Sequence, residues 1–217
     1  MIDLHTHTVF SDGELIPAEL IQRAKTAGYK AIAITDHVDH TNIEHVLKSL
    51  LGGVRDLCMV SSMDVIVGVE ITHVPPPLIS DLIKKARNLG AKLVVVHGET
   101  IVEPVEKGTN LAAIEGRCDI LAHPGLITEE EVKLAADSGV YLEITTRSGH
   151  SLTNGHVAKL AKKYGAKLVI NNDAHSPQDL IFVEKRKLIA MGAGLTYRDY
   201  IQIEHNSETI LNNILNR

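Results

Sequence analysis

Residues 31–37 read AIAITDH, an apolar run that ends in a carboxylate and an imidazole. An apolar run of this length without polar alternation fits a strand buried on both faces, as in a parallel sheet covered by helices. The polar pair then falls where the strand leaves its cover. The same order recurs along the chain. Ile2 to His5 runs into His5 and His7, Val65 to Val69 into Glu70, and Leu93 to Val96 into His97. Ile120 to Ala122 leads to His123, and Leu168 to Ile170 to Asp173 and His175. Val140 to Thr145 ends differently, at Thr146 and Arg147.

Between these runs lie amphipathic stretches with helix punctuation. Pro17 opens one that closes before Gly28, the expected asymmetry of helix ends. Others span 42–57, interrupted at Gly52-Gly53, then 78–89, 111–114, 129–137, 157–164 and 180–191, with one or two short helices over 199–215. A βα unit is therefore repeated about seven times, predicting an α/β fold over 1–217 as one domain. An open sheet and a barrel both satisfy the alternation. Polar residues at so many strand ends favour a closed or nearly closed barrel, because only there do the ends converge on one mouth.

The totals narrow the function. The 217 residues carry a net charge of -5 with histidines neutral, 44% hydrophobic and 23% charged residues. That composition is globular, and the negative balance gives no strong nucleic-acid signal, which would require a basic surface. Cys58 and Cys118 have no close spacing, so neither a disulfide framework nor a thiolate zinc site is expected, and both read as small buried residues. The N-terminal residues hold no basic region and no long apolar run, which reads as a cytoplasmic chain with no membrane span.

The 12 histidines are the unusual feature. One histidine at one strand end is ordinarily a hydrogen-bonding surface residue. Their joint placement is different: His5-Thr6-His7 sets two imidazoles on one face of an extended strand, and Asp173-Ala174-His175 does the same with a carboxylate and an imidazole. Imidazole and carboxylate donors without thiolate suit zinc, manganese or iron.

With these residues in view, the sequence resembles the PHP family, named for polymerase and histidinol phosphatase. The matching segments are DLHTHTVFSDG (3–13), ITDH (34–37), GVE (68–70), VVVHGE (94–99), LAHPG (121–125) and NNDAH (171–175), in the family's order. The resemblance implies a distorted seven-stranded (β/α)7 TIM-like barrel with three divalent metal ions. Carried over residue by residue, His5, His7, Glu70 and Asp173 would hold one ion. Glu70 would bridge to a second, completed by His97 and His123. Asp12, His37 and His175 would hold a third, with Asp12 at a position that is His in some relatives. The implied reaction is hydrolysis of a small phosphomonoester, histidinol phosphate or a related metabolite, by a metal-activated hydroxide at Glu70 and Asp173.

Further residues are read beside this set. Arg147 offers a guanidinium that matches a phosphate through two parallel hydrogen bonds. His150 either contacts substrate or is solvated. Glu99 is either an acceptor behind a ligand imidazole or only a loop carboxylate. His40 and His73 lie near the mouth, while His45, His156 and His205 read as helix-surface residues. Phe10 and Tyr197 are among the few aromatics available to stack on a substrate ring. Two other functions are weighed. An amidohydrolase-type C–N hydrolase shares the H-x-H motif, but it expects a lysine where this chain has His97. A non-catalytic PHP-like module would be expected to have lost ligands, and here each position is filled.

Overall fold

The computed structural model describes residues 1–60 and 63–216, with the side chains at 55 and 58–60 excepted. The strands are β1 (Ile2–Thr6), β2 (Ala31–Ile34), β3 (His37–Val38), β4 (Asp64–Val67), β5 (Val69–Ile71), β6 (Val94–His97), β7 (Ile120–Ala122), β8 (Tyr141–Thr145) and β9 (Leu168–Asn171). The helices are α1 (Pro17–Thr26), α2 (Ile43–Val60), α3 (Pro76–Asn88), α4 (Thr109–Glu115), α5 (Glu129–Ser138), α6 (Asn154–Tyr164), α7 (Val183–Gly192) and α8 (Tyr197–Leu215). All named strand pairs are parallel, in a three-stranded sheet ordered β1-β2-β4 and a six-stranded sheet ordered β3-β5-β6-β7-β8-β9.

The strand count differs from the seven expected, because two expected strands are each divided. The second stops at Ile34 and resumes as β3 after Thr35 and Asp36. The third breaks at Gly68, where a Cβ would lie 2.6 Å from the Leu93 carbonyl oxygen. Glycine lets the backbone pass that close. Before Gly68 the chain pairs with β2, and after it with β3 and β6. At the far side β1 meets the segment just past β9 through one isolated parallel bridge, Thr6 to Ala174. There His7 N donates to Ala174 O at 2.8 Å, and Leu4 N to Asn171 Oδ1 at 2.9 Å.

Two apolar layers sandwich the strands, as strand periodicity requires. Ile32, Ile34, Val94, Val96 and Ile170 join the larger core under the helices, while Ala31, Ala33, Leu93, Val95 and Val169 form a second cluster. Ile210, Leu211 and Ile214 of α8 belong to that second cluster. A capping box of Thr128 and Glu131 starts α5, and one of Thr196 and Asp199 starts α8.

Three helix expectations are corrected. α2 runs unbroken through Gly52-Gly53, because Val46, Leu47, Leu50 and Val54 bury one face. A helical glycine costs only about 1 kcal/mol, which such burial exceeds. α7 begins at Val183 rather than 180, after a 3-10 turn at Pro177–Asp179. The last stretch is one helix, α8. A feature unforeseen from sequence is Arg186 of α7, fully buried beside Glu204 (Nε to Oε1 3.3 Å) and donating to Ile170 O. Cys118 is buried, whereas the Cys58 side chain lies outside the described residues. Among the described residues no helix is long and apolar enough to cross a membrane.

Candidate metal centre

The strand ends bring nine residues together: His5, His7, Asp12, His37, Glu70, His97, His123, Asp173 and His175. Their donor atoms form overlapping groups, with all atoms of a group within 4.8 Å of one another. The groups are His5, His7 and Glu70; His5, His123 and Asp173; Glu70, His97 and His123; and His7, Asp12, His37 and His175. Glu70 and Asp173 are the hubs. Glu70 Oε1 lies 3.3 Å from His5 Nε2 and 3.8 Å from His123 Nε2. Asp173 Oδ1 lies 3.2 Å from His7 Nε2, and its Oδ2 3.5 Å from His123 Nε2. Asp12 Oδ1 sits 3.4 Å from His37 Nε2 and 3.2 Å from His175 Nε2.

Local structure explains how each arrives. His5 and His7 follow one another two residues apart along β1 and its exit, so both side chains face the mouth. Asp12 is delivered by the loop after β1. Buried Asp36 holds that loop, accepting from Thr8 N, Thr8 Oγ1 and Ser11 Oγ, each at 2.7 Å. His123 and Asp173 adopt positive φ, 26° and 54°. Non-glycine residues in this region carry about 1–3 kcal/mol of strain and cluster at functional sites. Gly125, at φ 60°, passes so close to the Glu99 carbonyl oxygen that a Cβ would lie 1.8 Å from it.

Protonation follows from this packing. Burial works against the charge on Glu70, yet His5 and His37 beside it hold its carboxyl well below the usual range. Burial also opposes a proton on His5, but Glu143, Glu70 and Asp173 together raise its pKa. Burial, with the imidazoles of His37 and His97 respectively, pushes His7 and His123 well below 6.5. Burial lifts Asp173 to about 7. Neutral His7 and His123 and ionised Glu70 are thus in the forms that ligate metal, whereas His5 and Asp173 are shifted toward their protonated forms and would release protons on binding one.

The residues fit a cation on an observation independent of family. His5 Nε2, both nitrogens of His7, Glu70 Oε1 and Asp173 Oδ1 are buried without a hydrogen-bond partner. Orphaned buried polar atoms are costly, at about 1–3 kcal/mol each. Donor lone pairs clustered from several strands are what divalent ions satisfy.

Sequence reasoning missed Glu143, which lies behind the centre on β8. Its Oε1 is 2.8 Å from His5 Nδ1 and accepts from Asn171 Nδ2 at 2.9 Å, while Oε2 accepts from His123 N at 3.1 Å. A carboxylate that holds a histidine's rear nitrogen fixes its tautomer and leaves the other for metal. The available signal was a lone glutamate inside the apolar run YLEIT (141–145).

Of the two readings of Glu99, the acceptor behind an imidazole is not the one found. Its Oε1 accepts from Gly108 N at 2.9 Å and Asn110 N at 3.0 Å, satisfying free amides at the start of α4 instead of an imidazole. Arg147 does reach the mouth, donating from Nη1 to Asp173 O at 3.1 Å. His150 is 5% exposed, its ring centre 4.3 Å from that of His123 and tilted against it, so it is not solvated. His73 lines the mouth, but His40 is exposed and does not. His45 and His205 are exposed as expected, while His156 is half-buried and bonds Ile127 O at 2.7 Å. Neither Phe10 nor Tyr197 lines the cavity, which measures about 200 Å³.

Fold and site together define an α/β protein built around clustered imidazoles and carboxylates. The chain belongs to the PHP domain family, which matches residues 3–165. It is 50% identical over 199 residues to protein MJ1295 of Methanocaldococcus jannaschii, covering 91% of each chain. A probable phosphatase of Shewanella pealeana is 29% identical over 200 residues, covering 81% of this chain and 77% of that one. Among solved structures it resembles histidinol phosphate phosphatase from Lactococcus lactis, complexed with zinc, L-histidinol and phosphate, at TM-score 0.65 and 16% identity. That match covers 90% of this chain and 94% of the other.

Proposed function

We propose that the protein is a metal-dependent phosphomonoesterase acting on a small phosphorylated metabolite, of which histidinol phosphate is one member. The reading rests on one observation: unpartnered buried donors at Glu70, Asp173, His5 and His7 meet beneath a rim guanidinium. Three divalent ions would be held, one by His5, His7, Glu70 and Asp173, one by Glu70, His97 and His123, and one by Asp12, His37 and His175. The mixed donor set suits zinc, manganese or iron. The strands are read as a distorted seven-stranded barrel over 1–217, with β2–β3 and β4–β5 each counted as one strand. The Thr6–Ala174 bridge supports that reading.

Clustered divalent ions supply a water activated near neutral pH and positive charge for phosphate oxygens. The chain's own residues do the rest. Nη1 of Arg147 is anchored on Asp173 O, with Nε 3.6 Å from Asp173 Oδ2, which holds the guanidinium at the mouth, where it would grip a phosphate oxygen. Buried Glu143 and the Asp36-held loop fix the donor atoms before substrate arrives. The cavity of about 200 Å³ between these residues has room for a phosphoryl group. The amidohydrolase alternative is disfavoured because His97 stands where that chemistry uses a lysine.

The test is hydrolysis by protein loaded with zinc or manganese against phosphomonoesters, phosphodiesters and an amide. Turnover of phosphomonoesters, lost on chelation, is expected. A fully loaded protein that is inert toward phosphoesters, or that cleaves the amide instead, would overturn the reading.

A further inference from the structure

Three residues at the mouth are used by nothing above. Glu103 lies on the loop between β6 and α4 and turns back over the strand ends. Its Oε2 sits 3.1 Å from His97 Nε2 and 3.2 Å from His73 Nε2, and its Oε1 3.3 Å from His150 Nε2. Donor atoms of His73, His97 and Glu103 form one group within 4.8 Å.

The placement on His97 is specific. Nδ1 of His97 is 3.2 Å from Gly98 O, so Nε2 is the nitrogen turned toward an ion. Glu103 faces that same nitrogen. The other two imidazoles hold the carboxylate from outside the nine-residue set. His73 does so from a backbone at φ 53°, a conformation that non-glycine residues adopt at a cost. His150 is buried, and its Nδ1 has no hydrogen-bond partner. Glu70, His97 and His123 would supply three protein donors to their ion, which leaves its coordination open to a further donor beside water. Glu103 Oε2 lies 3.1 Å from the metal-facing nitrogen of His97, and carboxylate oxygen is a fitting donor beside imidazole.

We propose that Glu103 is a loop-carried ligand of the ion held by Glu70, His97 and His123, with His73 and His150 orienting its carboxylate. The proposal rests on the metal-centre reading above. Its oxygens divide the work: Oε2 takes the ion beside His97, and Oε1 stays on His150. The assignment gives this ion a partly exposed loop ligand, 38% exposed, beside buried His97 and His123, as Asp12 is for the ion at His37 and His175.

The experiment compares wild type with Glu103→Gln, each stripped and titrated with cobalt(II), reading the visible absorption and the metal dissociation constants by chelator competition. Urea midpoints of the metal-free proteins check folding. The expected result is equal midpoints, an altered cobalt spectrum in the variant, and about ten-fold or greater weakening of one ion. Wild type that binds no cobalt sinks the metal-centre reading and this proposal with it. Wild type that binds, with a variant of identical spectrum and affinities, overturns this proposal alone. Weaker binding with an unchanged spectrum places Glu103 outside the coordination sphere and also overturns it. If Glu103→Gln shifts the urea midpoint, His73→Asn provides the second reading: it removes an orienting imidazole, and unaltered metal affinity there counts against the proposal.

Discussion

Replacing Glu143 with glutamine probes how the metal centre is held from behind. Glu143 is fully buried and receives three donors: His5 Nδ1 at 2.8 Å, Asn171 Nδ2 at 2.9 Å and His123 N at 3.1 Å. Glutamine keeps the size but turns one oxygen into a donating NH2. At least one of the three donors then loses its acceptor, and the bond to His5 loses its charge. A hydrogen bond to a charged group contributes about 1.5–3 kcal/mol. Loss of an outer partner of a metal-bound histidine typically weakens metal binding by about 10–100-fold, or roughly 1.4–2.8 kcal/mol. The two magnitudes agree, so the bond to His5 alone accounts for the expected loss. The assay is chelator competition at pH 7 on wild type and variant, with urea unfolding of the metal-free proteins as the control. A variant that keeps its fold and binds every ion with wild-type affinity would refute the reasoning.

Four other outcomes are expected. Arg147→Ala should raise KM for a phosphomonoester by about 10–100-fold, the value of a charged hydrogen bond, and an unchanged KM would remove Arg147 from substrate binding. Gly125→Ala should cost more than about 3 kcal/mol in thermal unfolding, because its Cβ would meet backbone at 1.8 Å from Glu99 at a φ of 60°. Asp199 accepts from Lys162 at 2.6 Å and from Thr196 N and Oγ1 at 2.8 Å, which holds its carboxyl down to about 2. Its folded pKa lies below the unfolded 3.8, so its contribution is complete above about pH 4 and lost as pH falls through 2. Asp199→Asn should therefore destabilise by about 1 kcal/mol at pH 7, after allowance for solvent screening, and by almost nothing at pH 2 in denaturant titrations. Chelation should lower the melting temperature, since one ion at a hundred times its dissociation constant contributes about 2.7 kcal/mol; a melting point insensitive to chelator would count against a built metal site.

The repeated strand-end pattern was legible because buried parallel strands are near-continuous apolar runs, so a polar residue at their ends stands out. The H-x-H and D-x-H pairs were legible for the same reason, since period-two alternation fixes a shared face. Glu143 escaped notice because a single buried carboxylate declares its purpose only through its partners, which come from β1, β9 and the residue just past β7. Glu99 misled because its closeness in sequence to His97 said nothing of the helix start it serves. The division of strands at Gly68 was hidden too: the glycine is visible in VIVGV, but the neighbour it must let pass, Leu93 O, is not.

Sequence alone determined the alternation of buried strands and covering helices, and which residue types stand where strands end. These follow from local hydrophobicity and side-chain periodicity, which need no partner. Tertiary structure decided the rest: that donors from residues 5 to 175 share one space, that Glu103 returns over the mouth onto His97, and that Arg186 is buried beside Glu204. Distances between residues far apart in the chain are set by packing of the whole, and no local pattern encodes them.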